Sequence, residues 1–333
     1  MGTRPHRHDG PARLPSSEHA VIVEEVSRSF GSHQALADVS FDVRTGTVLG
    51  LLGSNGAGKT TLVNILSTIL APSGGRATVL GYDVATQPDD VRLVIGLAGQ
   101  YAAVDDVLTA RENLTMISRL SHLSARQSVQ RANELLERFH LTDAADRQLR
   151  TFSGGMRRRI DLAAALVRRP PLVFLDEPTT GLDPRARLDL WEVVEELVHD
   201  GTTVVLTTQY LEEADRLADK IVVISAGTVV ATGTPIELKQ RIASTVVEFV
   251  FSDPATTAHA VSALGNGFEV LPHESPTVLA LGGDGSPTAV REALDCLHRA
   301  GTVPLQIDVR RPSLDDVFLR LTNNHNQNLR GAA

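Results

Sequence analysis

Apolar residues along this chain follow two rhythms. Nearly unbroken apolar runs at residues 47–52 and 172–175 predict strands buried on both faces of a parallel sheet. Alternation at Val39, Phe41 and Val43 predicts a strand with one wet face, and residues 20–26, 78–84, 93–98 and 203–207 read as further strands. Elsewhere the period lengthens to that of a helix. Leu62, Ile65, Leu66 and Ile69 form one such set, stopped by Pro72-Ser73-Gly74-Gly75. Leu114, Ile117 and Leu120 form a second, Val129, Ala132, Leu136 and Phe139 a third, and Leu188, Trp191 and Val194 a fourth. Strands alternating with helices imply an α/β domain.

Polar residues mark where the helices begin. Thr109-Ala110-Arg111-Glu112 and Ser124-Ala125-Arg126-Gln127 each carry the reciprocal cap of a helix N-terminus. Asp183-Pro184 supplies an N-cap and a proline at the first helical position. The first two helices interrupt the sheet, which predicts a helical subdomain at residues 101–165. A hairpin is expected at residues 221–224 and 228–231, around Ser225-Ala226-Gly227. Beyond Gly233-Thr234-Pro235 the alternation restarts, with strands expected at 246–251, 268–271, 277–281 and 303–309 and helices at 255–264 and 288–299. Leu314, Val317 and Phe318 read as the buried face of a last helix. The expected organisation is a disordered tail at 1–18, a main domain at 19–240, a small C-terminal α/β accessory domain at 241–322 and a flexible tail at 323–333.

Composition narrows the picture. The 333 residues leave room for two domains, and contents of 42% hydrophobic and 22% charged residues are those of a soluble globular protein. A net charge of -8 argues against a nucleic-acid partner. The single cysteine, Cys296, forms no internal disulfide and fits a reducing compartment. Residues 1–17 lack the apolar core of a secretory signal. No apolar run reaches the roughly 18 to 20 residues that cross a bilayer, so membrane spans would come from another chain. His6 and His8 lie in the tail, and the eleven histidines show no metal-site spacing.

The chemistry centres on Gly53-Ser54-Asn55-Gly56-Ala57-Gly58-Lys59-Thr60, which fits the phosphate-cradling pattern between a strand and a helix. Glycines let backbone N–H groups approach phosphate oxygens at the positive end of the helix. Lys59 adds a charge for the β- and γ-phosphates and the Thr60 hydroxyl a ligand for Mg²⁺. Downstream, Asp176 and Glu177 end a buried strand, where two carboxylates are costly unless something positive meets them. Successive strand residues point opposite ways, so Asp176 is assigned to the Mg²⁺ shell and Glu177 to the attacking water. Ser153-Gly154-Gly155-Met156 opens a helix and offers a second anion site or a structural cap. Phe30, in an expected Ser-Phe-Gly turn, suits either stacking on adenine or packing in a core.

These motifs resemble, in kind and order, those of the ATP-binding subunits of ABC transporters, over residues 21–239. The resemblance implies a P-loop NTPase fold of the ABC ATPase type, with a mixed sheet core and a helical subdomain. It makes Phe30 the adenine-stacking aromatic, residues 53–60 with Thr61 the phosphate loop, and Gln100 the Q-loop glutamine, which also attends the metal. It makes Ser153, Gly154 and Gly155 the signature, Asp176 the Walker B aspartate, Glu177 the catalytic glutamate and Asp183 the D-loop aspartate. It further implies ATP and Mg²⁺, a head-to-tail homodimer sandwiching two ATP molecules, and a separate membrane permease, with this chain at the cytoplasmic face of the cell membrane.

Two positions depart from the family pattern. Met156 stands where glutamine is usual, and Gln209 where the switch histidine is expected. A glutamine amide donates a hydrogen bond to a γ-phosphate but carries no proton charge, so slow, Glu177-dependent hydrolysis is expected with Gln209 orienting. Ser153-Gly154-Gly155-Met156-Arg157-Arg158-Arg159 and Thr207-Thr208-Gln209-Tyr210-Leu211-Glu212-Glu213-Ala214-Asp215 are most similar to the daunorubicin/doxorubicin-resistance branch, and Ser313-Leu314-Asp315-Asp316-Val317-Phe318-Leu319 is similar to its C-terminal motif. The function implied is ATP-driven efflux of an anthracycline-like drug. Export of a complex lipid or other natural product, a permease-independent ABC ATPase and a regulatory ATP switch are the alternatives.

Overall fold

The computed structural model describes residues 18–99, 104–241, 245–283 and 285–320. The chain forms two compact units: Met1–Thr47, Thr61–Phe174 and Glu196–Val204 in one, Val48–Thr60, Leu175–Glu195 and Val205–Ala333 in the other. The main sheet has six strands in the order Thr228–Gly233, Lys220–Ser225, Val48–Leu52, Thr203–Thr208, Leu172–Asp176 and Ile95–Ala98. Val48–Leu52 and Leu172–Asp176 are buried at every residue, as their unbroken apolar runs require.

The first unit carries an antiparallel sheet in the order His33–Arg44, His19–Phe30, Gly74–Val79 and Tyr82–Asp83. Phe30 ends a long strand here; no turn begins at Ser29. Polar Ser27, Arg28 and Ser29 break the alternation, while pairing with His33–Arg44 continues through register shifts. The strand expected at 78–84 is split, because Leu80 and Gly81 take positive φ of 49° and 84° and turn the chain. The strand expected at 93–98 begins at Ile95, after a helix at Pro88–Val94 that opens with proline and two aspartates. Ile69 is 60% exposed, since the helix Lys59–Leu66 ends early and the Asn64 carbonyl accepts from both Ile69 and Leu70. Both expected capping boxes are present, at Ala110–Leu120 and Ala125–Arg138. Their buried sides include Leu114, Ala132, Leu135 and Leu136, whereas Leu120 and Val129 are exposed.

In the second unit, Val48–Leu52 runs parallel to Lys220–Ser225, which turns back into Thr228–Gly233. Asp183 caps Pro184–His199, its Oδ1 accepting from Ala186 N at 2.9 Å. A four-stranded antiparallel sheet follows, in the order Glu269–Leu271, Val278–Gly283, Thr245–Val250 and Gln306–Arg310. One face shares a core with the helices Pro254–Leu264 and Pro287–Arg299 through Val247, Phe249, Leu279, Ala260 and Leu297. On the other face, Val246, Leu271 and Ala280 share a core with Leu314 and Val317 of the helical residues 314–320, and with Leu52, Ile221 and Val223. The last strand starts at Gln306, leaving Val303 and Leu305 exposed.

Arg310 fastens the final helix. Its guanidinium donates to both oxygens of Asp316, at 2.7 and 2.9 Å, and to Glu248 Oε1. Burial pushes the Asp316 carboxyl up, but Arg310 and the Ser313 N–H outweigh it and hold the group below its ordinary 3.8. The pair's contribution is therefore complete well above pH 3.8 and fades as pH falls below it. Urea denaturation is expected to show Asp316→Asn destabilised by about 2 kcal/mol at pH 7. The gap to wild type should narrow at pH 3; a gap of constant size would refute the assignment.

Candidate nucleotide site

The loop conformation follows from three glycines. A Cβ on Gly53 would lie 2.5 Å from the Ile224 carbonyl oxygen, and Gly56 and Gly58 adopt φ of +79° and +109°. Ala57 N donates to Ser54 O at 3.2 Å, and Ala57 O accepts from Gly227 N at 3.0 Å, which ties the loop to the neighbouring hairpin turn. Ser54, Asn55 and Gly56 remain exposed at the crest.

Lys59 opens the following helix and is 4% exposed. Its Nζ donates to the carbonyls of Gly53 (2.8 Å) and Ser54 (3.2 Å) and stands 3.4 Å from Glu177 Oε1. Beside it, Thr60 Oγ1 donates to Asp176 Oδ1 at 3.3 Å. Thr207 Oγ1 donates to the same oxygen at 2.5 Å and accepts from Glu177 N at 2.9 Å. Glu177 holds φ of +48°, a strained conformation for a non-glycine residue, in which its backbone stays bonded to Thr207. Thr180 Oγ1 donates to Glu177 Oε2 at 3.3 Å.

Gln209 is half-buried just past Thr203–Thr208, in a bend where Tyr210 N donates to Thr208 Oγ1 at 2.9 Å. Behind this bend Glu213 is fully buried, accepts from Trp191 Nε1 at 3.1 Å, and has its carboxyl pushed up by burial.

The residue types present fit a magnesium ion. A hydroxyl and a carboxylate converge within 3.3 Å, both hard oxygen donors of the kind Mg²⁺ takes one or two at a time, with phosphates and waters completing its shell. Among the described residues no group of three or more His, Cys, Asp or Glu forms an all-protein cage.

Of the residues singled out from the sequence, Gly53 to Thr60, Asp176, Glu177, Asp183 and Gln209 belong to one unit, and the hydrogen bonds and ion pair above involve Gly53, Ser54, Ala57, Lys59, Thr60, Asp176 and Glu177. Asp183 is exposed and acts as a helix cap. Phe30, Thr61, Ser153, Gly154 and Gly155 belong to the other unit. Phe30 is 44% exposed, with the Arg28 guanidinium 4.7 Å from its ring centroid. Ser153 caps the helix Gly154–Ala165, its Oγ accepting from Met156 N at 3.3 Å. Arg157 pairs with Asp106, and Arg158 donates to the Gly99 carbonyl at 2.9 Å. Gln100 lies outside the described residues. Thr207 is the site residue that pattern reading missed; its signal was a hydroxyl two positions before Gln209 at the end of an apolar strand.

Comparison with known proteins shows the family. The family described as "ABC transporter" matches residues 36–180. The daunorubicin resistance ATP-binding protein DrrA2 of Streptomyces coeruleorubidus is 50% identical, over 93% of this chain and 97% of its own. The doxorubicin resistance ATP-binding protein DrrA of Mycobacterium tuberculosis is 45% identical, over 95% and 97%. The Nod factor export ATP-binding protein I of Rhizobium meliloti is 40% identical, over 91% and 88%. Among solved structures, an ATP-binding subunit of an ABC transporter aligns with a TM-score of 0.60 at 30% identity, covering 67% of this chain and 92% of that one. A dimeric ATP-binding cassette in a post-hydrolysis state with ADP and Pi aligns with a TM-score of 0.59 at 25% identity, covering 64% and 98%. The chain therefore belongs to the ATP-binding subunits of ABC transporters, within the daunorubicin/doxorubicin-resistance branch, and is an ATPase of P-loop fold.

Proposed function

We propose that this chain powers efflux of a hydrophobic, anthracycline-like antibiotic. In this reading it works as a homodimer with two ATP molecules at the dimer interface, docked on a separate permease at the cytoplasmic face of the membrane. The observation that carries the reading is the convergence of Lys59, Thr60, Asp176 and Glu177 in one pocket, in a chain 45–50% identical to drug-resistance ATP-binding proteins. No helix among the described residues is long and apolar enough to cross a membrane, which agrees with spans supplied by a partner. The 40% identity to a Nod factor export protein supports a second reading, export of another amphiphilic natural product.

Within the pocket each residue has a task. Lys59 leaves the Gly53 and Ser54 carbonyls for the more strongly charged β- and γ-phosphate oxygens. That exchange releases the Glu177 carboxylate, which orients a water in line with the γ-phosphorus and accepts its proton. Thr60 and Asp176 would hold Mg²⁺, which would supply positive charge against the phosphate oxygens. Gln209 donates its amide N–H to the γ-phosphate and takes no proton. Thr207 positions both carboxylates, one through its hydroxyl proton and the other through its lone pair. Ser153 and Gly155 of one protomer close over the phosphate loop of the other.

Three outcomes are expected. Glu177→Gln should lower ATP turnover by about a hundredfold or more while keeping ATP affinity, whereas Gln209→Ala costs about tenfold. Full activity in Glu177→Gln would sink the mechanism. Thr207→Val should lower kcat by about tenfold with little change in KM, because it disturbs positioning and not binding. Co-expression with a candidate six-span permease should give drug resistance in cells that Lys59→Ala abolishes. Resistance surviving that change, or a purified Glu177→Gln protein that stays monomeric with MgATP and permease, contradicts the export reading.

A further inference from the structure

Within the unit that carries Gly154–Ala165 there is a cavity of about 480 Å³, a volume typical of small-molecule sites, and none of the phosphate-loop residues lines it. Helix Ala125–Arg138 contributes Arg131 and Arg138, seven residues apart and so on one side of the helix. The loop after Gly154–Ala165 contributes Arg169, and the segment at 197–202 contributes Asp200. Leu135 and Leu197 supply an apolar lining.

Three guanidiniums and three carboxylates meet at this cavity, and the guanidiniums are not equally well matched. Glu134 Oε2 is shared between Arg131, at 3.2 Å, and Arg169, at 2.8 Å, while Asp200 serves Arg138 at 2.8 Å. Glu196 is the third carboxylate and the loosest, 3.9 Å from Arg138, while Arg131 and Arg169 share the single carboxylate of Glu134. Arg131 has the most buried side chain of the three, at 14% exposure, and burial pushes its pKa down, with the Arg169 and Arg138 charges adding to that push. Arg169 also holds φ of +52°, backbone strain of the kind kept at ligand clamps.

We propose that this cavity binds a small phosphate-bearing anion, gripped by the planar forks of Arg131, Arg138 and Arg169. The site is tied to the ATPase machinery through Arg131. Its Nη2 and Nε donate to the carbonyls of Leu166 (2.6 Å) and Val167 (3.0 Å) at the C-terminal end of the helix that begins with Ser153 as its N-cap. An anion drawing on Arg131 loosens or tightens that end cap, and so acts on the signature helix from the end opposite Gly155. This role is regulatory and independent of what is exported.

Hydrogen exchange of the full-length protein with inorganic pyrophosphate tests the proposal, because it reads each region separately. Binding at the phosphate loop slows exchange at residues 53–60. Binding in the arginine cavity should also slow exchange at residues 131–138 and 166–169. The double variant Arg138→Gln/Arg169→Gln should raise the midpoint of that second effect about tenfold or more and leave residues 53–60 unchanged. Arg138 and Arg169 are 30% and 71% exposed, and single Arg169→Gln serves if the double variant is unstable. No protection at 131–138 when the phosphate loop is saturated, or protection with an unaltered midpoint in the variants, overturns the assignment. Protection produced by anionic phospholipid vesicles but not by pyrophosphate overturns it as well.

Discussion

A carboxylate at the end of a strand whose five residues are all buried is the constraint on which this molecule turns. Asp176 is 4% exposed, and an ion so removed from water is tolerated only where donors or cations meet it. The Thr207 and Thr60 hydroxyls do so from two different elements, the adjoining Thr203–Thr208 strand and the helix after the phosphate loop. One oxygen atom thereby ties together the strand end, the adjoining strand and the helix after the loop. The same Thr207 hydroxyl fixes the backbone of Glu177, so both carboxylates are positioned by a single side chain.

The loop itself is rigid for reasons of space. Gly53 passes too near the Ile224 carbonyl to carry a side chain, and the Ala57 carbonyl is pinned by Gly227. Lys59 is thus held by backbone oxygens whose positions the hairpin determines. The charge relocation we propose for the site needs only this lysine side chain to swing.

Much of this was legible in the residues. The unbroken runs at 47–52 and 172–175 marked buried strands, and the phosphate-loop pattern between strand and helix had one structural meaning. The capping boxes located two helices to the residue. Reading failed where backbone geometry outweighed side-chain pattern. Leu80 and Gly81 turned a continuous apolar run, and Ser27 to Ser29 hid a strand whose pairing survived without alternation. Leu93 carried a strand-like composition but sits 54% exposed on a short helix that Pro88 had announced. Thr207 escaped notice because a hydroxyl in a strand carries no periodic signal; its importance exists only once Asp176 is brought beside it.

Leu52, the last residue before the phosphate loop, shares one apolar cluster with Val246, Leu271, Ala280, Leu314 and Val317. The final third of the polypeptide is therefore a wall of the room in which the loop stands. Fusion partners, tags or shortened versions joined near residue 240 would strip that wall and wet the strand that presents Gly53. Engineers who wish to transplant this ATPase will have to carry residues 245–320 with it.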